Sequence, residues 1–125
     1  VFSVLMSNTD DHLRSHGFLY AGATGWRLSR VFDVNRVPLD IKDRVRSTAI
    51  GLDGDPSASL DIAFKVAPHF GLTAANAERI AAEVAVATAQ WRTVASRFSI
   101  TSLEIERMRS ASEHHGSRAA SLLVP

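Results

Sequence analysis

Cysteine is absent from all 125 residues. That excludes disulfides, thiolate catalysis and cysteine-ligated zinc, and it agrees with a reducing compartment. Lysine is nearly as scarce: Lys42 and Lys65 are the only two among 14 basic residues, and the rest are arginine. Those arginines are scattered along the chain and the net charge is +1, so neither a nucleic-acid surface nor an acidic partner is advertised. No run approaches the roughly 18 apolar residues of a membrane span. The stretch from Val1 to Met6 is too short for the apolar region of a signal peptide. A soluble, cytoplasmic protein is expected.

What is present is the composition of a folded chain, 46% hydrophobic and 22% charged, far from that of disordered segments. A chain of this length forms one domain and buries roughly two-thirds of the surface it would expose unfolded. Two unlike segments and a tail divide it, at 1–57, 58–115 and 116–125. In the first, "GFLY" and "WRLSRVF" flank "AGATG", a pattern of aromatic and branched runs around a glycine-containing turn that predicts a short β-hairpin. Residues 34–54 lack a period and read as an irregular loop. In the second segment, capping signals predict three helices near 57–70, 74–98 and 102–115. They begin at Asp55-Pro56, at Thr73, and at Thr101 with Glu104 as a capping box. Gly71 reads as a helix stop after a break at Pro68. Ala77, Ile80, Val84, Ala87, Trp91, Val94 and Phe98 recur in steps of three and four, predicting one apolar stripe packed inward. The Ser/Ala-rich tail from Gly116, with the exposed pair His114-His115 before it, is expected to fray. The fold class is α+β, predominantly α, with a hairpin followed by a helical bundle.

Polar chemistry concentrates in "SNTDDHLRSHG", Ser7 to Gly17, beside the apolar start of the chain. Asp10 lies where the chain enters the hairpin and Asp33 where it leaves, so an antiparallel pair between them draws the two loops together. Phosphoryl transfer uses such a pair, one carboxylate to accept the proton of the attacking hydroxyl and one to hold magnesium.

The segments "SNTDDHLRSHGFLY" and "GWRLSRVFDVN" resemble the catalytic and metal-binding segments of HipA-type serine/threonine kinases, the toxins of bacterial toxin–antitoxin pairs. In that family N-x-D-D-H-x-[RK]-N-H-G-F leads to W-x-L-[ST]-P-x-[FY]-D. "FGLTAANAERIAAEVAVATAQWRTVASRF" is similar to its C-terminal helices, so the likeness spans about residues 1–112. It implies the C-terminal part of a kinase-like catalytic lobe. Asp10 would be the catalytic aspartate, His12 its supporting neighbour and Asp33 the magnesium ligand, with ATP and magnesium as cofactors. It also implies a protein substrate and a helix-turn-helix antitoxin partner through which any DNA contact would be indirect. Ser15 stands where the family has a metal-binding asparagine, and Arg30 where it has proline. A serine oxygen reaches ~1.5 Å less far from the main chain, so a bridging water would be needed for Ser15 to serve magnesium. The phosphate-covering loop and strand lysine of such kinases precede the catalytic loop. Here only Val1 to Thr9 precede it, and "GLDGD" at 51–55 lacks that context, so the chain alone is expected to be inactive. A non-catalytic remnant that keeps an interaction surface is the alternative reading.

Plainer readings compete residue by residue. His12 and His16, four apart, could ligate a transition metal with Asp10 or Asp11 on a helix, but Gly17 follows at once, and His16 reads rather as a loop-bonding residue. Asp11 and Arg14 read as a solvated local pair. Trp91 and Phe98 read as core.

Overall fold

Caps govern this chain more closely than hydrophobic period. In the computed structural model, which describes residues 1–41 and 43–124, the elements run α1 (Phe2–Leu5), β1 (Phe18–Tyr20), β2 (Trp26–Leu28), α2 (Leu60–Val66), α3 (Ala74–Ala89), α4 (Trp91–Arg97), α5 (Ser102–Arg107), α6 (Arg109–Ser112) and α7 (His115–Ser121). The α+β, mostly helical class is as the sequence reads. β1 and β2 form an antiparallel pair in which Leu19 faces Arg27, and Tyr20 stacks at a tilt on Trp26, 5.4 Å between ring centroids. Thr73 accepts from the Asn76 N–H to open α3, and Thr101 and Glu104 complete a reciprocal capping box on α5. Gly71, at φ 70°, ends the turn that Pro68 forces after α2, a left-handed conformation that suits glycine. Between β2 and α2 the described residues form no helix or strand beyond a single bridge, Val45 to Ser57. Lys42 lies outside the described residues, as does Pro125.

Four expectations are corrected. The first helix begins at Leu60 with Ser59 as its cap, while Asp55 accepts the Ser57 N–H in a turn of its own. The long helix is interrupted at Gln90. Just before the break, Thr88 Oγ1 donates to the carbonyls of Val84 and Ala85, a back-bond that bends helices. The third helix is divided at Met108. The tail residues His115–Ser121 form a helix: α7 packs on α1 and α3, and Ala120 is fully buried.

The inward face of α3 is built of alanine. Ala77, Ala81, Ala82 and Ala85 are buried, and Ala85 meets Val4, Leu5, Leu60 and Ala120 in one core cluster. Small side chains let the backbones of α1, α3 and α7 approach closely, and larger ones on this face would hold them apart. The predicted stripe is only partly inward: Ala77 lies on that face and Val84 packs against the cluster, but Ala87 is exposed. Its Trp91 is buried at 8% exposure, with Met6, Ala95 and Ile105, but Val94 and Phe98 are exposed at 44% and 77%, correcting the reading of Phe98 as core. Truncating Trp91 to alanine should cost about 3 kcal/mol, the low end for an aromatic because one side of its setting is open. Denaturant unfolding measures this, and a near-neutral result would remove Trp91 from the core.

His114, expected at an exposed end, is only 7% exposed and is the cap of α7. Its Nε2 donates to the Leu5 carbonyl at 2.9 Å and its Nδ1 accepts the Ser117 N–H at 3.3 Å, so the neutral ring satisfies both partners. Burial first, then the neighbouring Arg44 charge, push its pKa down from 6.5 to about 4. The unfolded chain thus binds the extra proton between those values. Stability is fully present above pH 6.5 and declines as pH falls towards 4, by up to ~3 kcal/mol. Urea unfolding at pH 7 and pH 4.5 should show that decline, and His114→Gln should lack it.

Candidate functional site

The polar run begins as an extension of the core. α1 is only four residues long, and its end would leave buried carbonyls without partners. Distant groups supply them. Arg44 donates to the Val4 carbonyl at 2.7 Å, His114 to that of Leu5, and the Val37 N–H to that of Ser7 at 3.2 Å. Ser47 donates to the Thr9 carbonyl from its N–H at 2.9 Å and its hydroxyl at 3.2 Å. Ser7 takes φ 50° to turn the chain out of α1. Thr9 is 1% exposed, and the next residue, Asp10, is in solvent.

Asp10 Oδ1 accepts from the Ser47 hydroxyl at 3.3 Å. The chain then forms a turn, Leu13–Ser15, in which Ser15 Oγ bonds His12 Nδ1 at 3.0 Å and His16 Nδ1 donates to the His12 carbonyl at 3.1 Å. His16 thus bonds the loop, as its plainer reading expected. Asp11 does not pair with Arg14. It binds Arg46 at 2.7 Å, with both side chains largely buried, and faces His16 Nε2 at 3.7 Å. Burial alone would raise the Asp11 pKa, but the hydrogen bonds from Arg46 and Ser3 outweigh it and hold the carboxyl below its ordinary value. Nothing local in the sequence marks Arg46 as its partner, 35 residues away.

The hairpin does bring its ends together. The Ser29 N–H donates to the Gly17 carbonyl at 2.8 Å, and a side chain at Gly17 would crowd Ser29 and Phe32. A hollow of about 80 Å³ lies between the two loops, with Asn8, Asp11, Ser15 and His16 on one side and Leu28–Phe32 on the other. Asp33 follows that second wall. It is exposed, holds φ 54°, a left-handed conformation that aspartate tolerates better than most residues, and accepts from Asn35 Nδ2 at 3.0 Å. The structure thus joins His12 to Ser15, and gives Asp10 and Asp33 separate hydrogen-bond partners. Among the described residues no three His, Asp or Glu side chains gather as a metal centre. No helix among them is long and apolar enough to cross a membrane.

A family model, the HipA-like C-terminal domain, matches residues 1–91. The chain belongs to that family. No curated protein and no solved structure matches it.

Arg46 bears the charge balance of this region. Arg46→Gln leaves the Asp11 carboxylate buried without its cation and should cost on the order of 3 kcal/mol near neutral pH. The Asp11 carboxyl should then titrate higher, read by its carbon chemical shift, and an unchanged titration would remove Arg46 as the cause of the depression.

Proposed function

We propose that the chain is the C-terminal catalytic-lobe portion of a HipA-like serine/threonine protein kinase. The observation that carries this reading is the abrupt step from a buried, doubly held Thr9 to an exposed Asp10, inside a motif that the family match covers. A carboxylate on so rigid a base is suited to orient a substrate hydroxyl and accept its proton. His12, bonded to Ser15, would act on the same loop as a supporting group.

The donors present fit magnesium in kind, being hard oxygens. Asp33 would hold it, since its carboxylate is exposed and takes one neutral hydrogen bond. Ser15 would contribute at most through its remaining lone pair, its hydroxyl being engaged with His12. Bound there, magnesium would neutralise charge on a phosphoryl group. For ATP the fit is poor within these residues. Lys65 sits exposed on α2, and among the described residues no glycine loop leads from a strand into a helix, so these residues offer a nucleotide no phosphate-covering loop. The resemblance carries the cellular reading too: a cytoplasmic toxin that acts on a protein substrate and is restrained by a helix-turn-helix antitoxin.

The His12–Ser15 bond favours a second reading, a non-catalytic remnant. There the loop is closed on itself by the residue that replaces the metal-binding asparagine, and the chain serves as an interaction module. Manganese, as a paramagnetic stand-in for magnesium, separates the two. The kinase reading expects amide signals around Asp33 to broaden at sub-millimolar metal, with the effect lost in Asp33→Asn and strengthened in Ser15→Asn. Broadening centred elsewhere, or none, would overturn it in favour of the remnant. In either case Asp10→Asn should leave the thermal midpoint within about 2 °C, because an exposed group with one long hydrogen bond contributes little.

A further inference from the structure

A hollow of about 630 Å³ runs along α3 and α4; it shares Phe2 and Val34 with the smaller hollow between the two loops, and Asp10 is not among its lining residues. Val84, Ala87, Trp91, Val94 and Phe98 from α3, α4 and its end line it together with Phe2 and Met6 from the start of the chain. From Val84 to Phe98 the stripe spans at most about 21 Å at the helical rise, since α3 and α4 are divided at Gln90. Ala87, Val94 and Phe98 are period-matched apolar positions left exposed, while Trp91 is buried and Val84 packs against the core. A stripe of this length, open along one side, suits an elongated apolar occupant.

Charge selects among such occupants. Arg36 and Glu83 line the groove, and Arg92 lies over the ring of Trp91. Glu83 is paired with Arg79 at 2.6 Å, and Arg92, 4.7 Å from the Trp91 ring, is paired with both Glu106 and Glu113. Arg36 stands over the same ring at 5.1 Å and donates to Ser112 Oγ at 3.1 Å, but among the described residues no carboxylate pairs with it. Burial pushes its pKa below the ordinary arginine value. A half-buried guanidinium on an apolar wall, lacking a counter-ion, favours an anion delivered by whatever fills the groove.

We propose that this groove docks an amphipathic α-helix of a partner protein, which lays apolar side chains at i, i+3 or i+4, and i+7 along the stripe and presents one Asp or Glu to Arg36. A second copy of the chain fits less well. α3 and α4 build the groove, and every other helix among the described residues has seven residues or fewer, too few for four turns. A small carboxylic acid would reach Arg36 but leave much of the stripe uncovered.

The test uses the full chain and a set of fluorescein-labelled Ala/Lys-based helical peptides about 16 residues long, four turns. Each carries leucines at the stated spacing and a single glutamate walked along the leucine face. Saturable binding by anisotropy is expected for one glutamate position. It should weaken about tenfold when that glutamate becomes glutamine or when Arg36 becomes glutamine, the size of one charge-assisted hydrogen bond. Val94→Glu, a change at an exposed position, should abolish binding with the circular dichroism melt retained. If that variant unfolds, the Glu→Gln peptide comparison still decides, since it alters only the probe. The proposal is overturned by no saturation up to ~1 mM peptide, by equal affinity for the Glu and Gln peptides, or by dodecanoate binding through Arg36 where no peptide binds. A concentration-dependent dimer that Val94→Glu dissolves would overturn it too, in favour of a second copy.

Discussion

The carbonyl groups of Val4 to Thr9 are the constraint around which this molecule is organised. A helix of four residues satisfies almost none of its own terminal groups, yet this one lies in the core with Val4 and Leu5 almost fully buried. Each unpaired carbonyl there would cost about 1–3 kcal/mol. The chain meets that demand with Arg44, Val37 and Ser47 from the irregular segment and with His114 from the start of α7. The aperiodic stretch between hairpin and helices therefore has an ordered task. It wraps the end of α1 and supplies the donors that α1 lacks.

That arrangement transmits rigidity to the polar loop. The Ser47 N–H holds Thr9 and its single hydroxyl proton is shared between the Thr9 carbonyl and Asp10, while Arg46, one residue earlier, neutralises Asp11. Adjacent side chains of one loop thus fix adjacent residues of the other. Asp10 is left in solvent at a defined place, and Asp11, although the neighbouring letter in the motif, is spent on structure. The division between two consecutive aspartates follows from burial: a carboxylate that is largely covered needs a cation at contact distance, and one in solvent does not.

Features legible in the sequence were those decided within a few residues. The hairpin, the Thr73 cap, the capping box of Thr101 and Glu104 and the stop at Gly71 all depend on neighbours within ten positions, and all are present. Asp10, His12, Ser15 and Asp33 were candidates because they lie in short motifs, and of these the structure bonds His12 to Ser15. What escaped was non-local. Arg44 reaches back 40 residues, and His114 reaches back 109 to Leu5. Neither partnership leaves a mark near either residue, so the arginines read as scattered charge and the histidine as part of a frayed end. The turn that links Ser15 to His12 escaped for the opposite reason. It is local, but it is set by hydroxyl and imidazole geometry, which no period reports.

The misread stripe on α3 and α4 shows why hydrophobic period alone misplaces a core. Period identifies that a helix has an apolar face and leaves open which neighbour covers it. On α3 two apolar faces compete. One is alanine, which allows the short α1 and α7 to approach closely enough to share Val4, Leu5, Ala85 and Ala120. The other carries the larger side chains, with more apolar area to gain from cover. Burial of area alone would turn the larger face inward. α1, however, must also bring its carbonyls within hydrogen-bond distance of Arg44 and His114, and that distance is reached only if the helices sit close. Close approach selects the alanine face, and the larger side chains are left lining the groove beside Arg36.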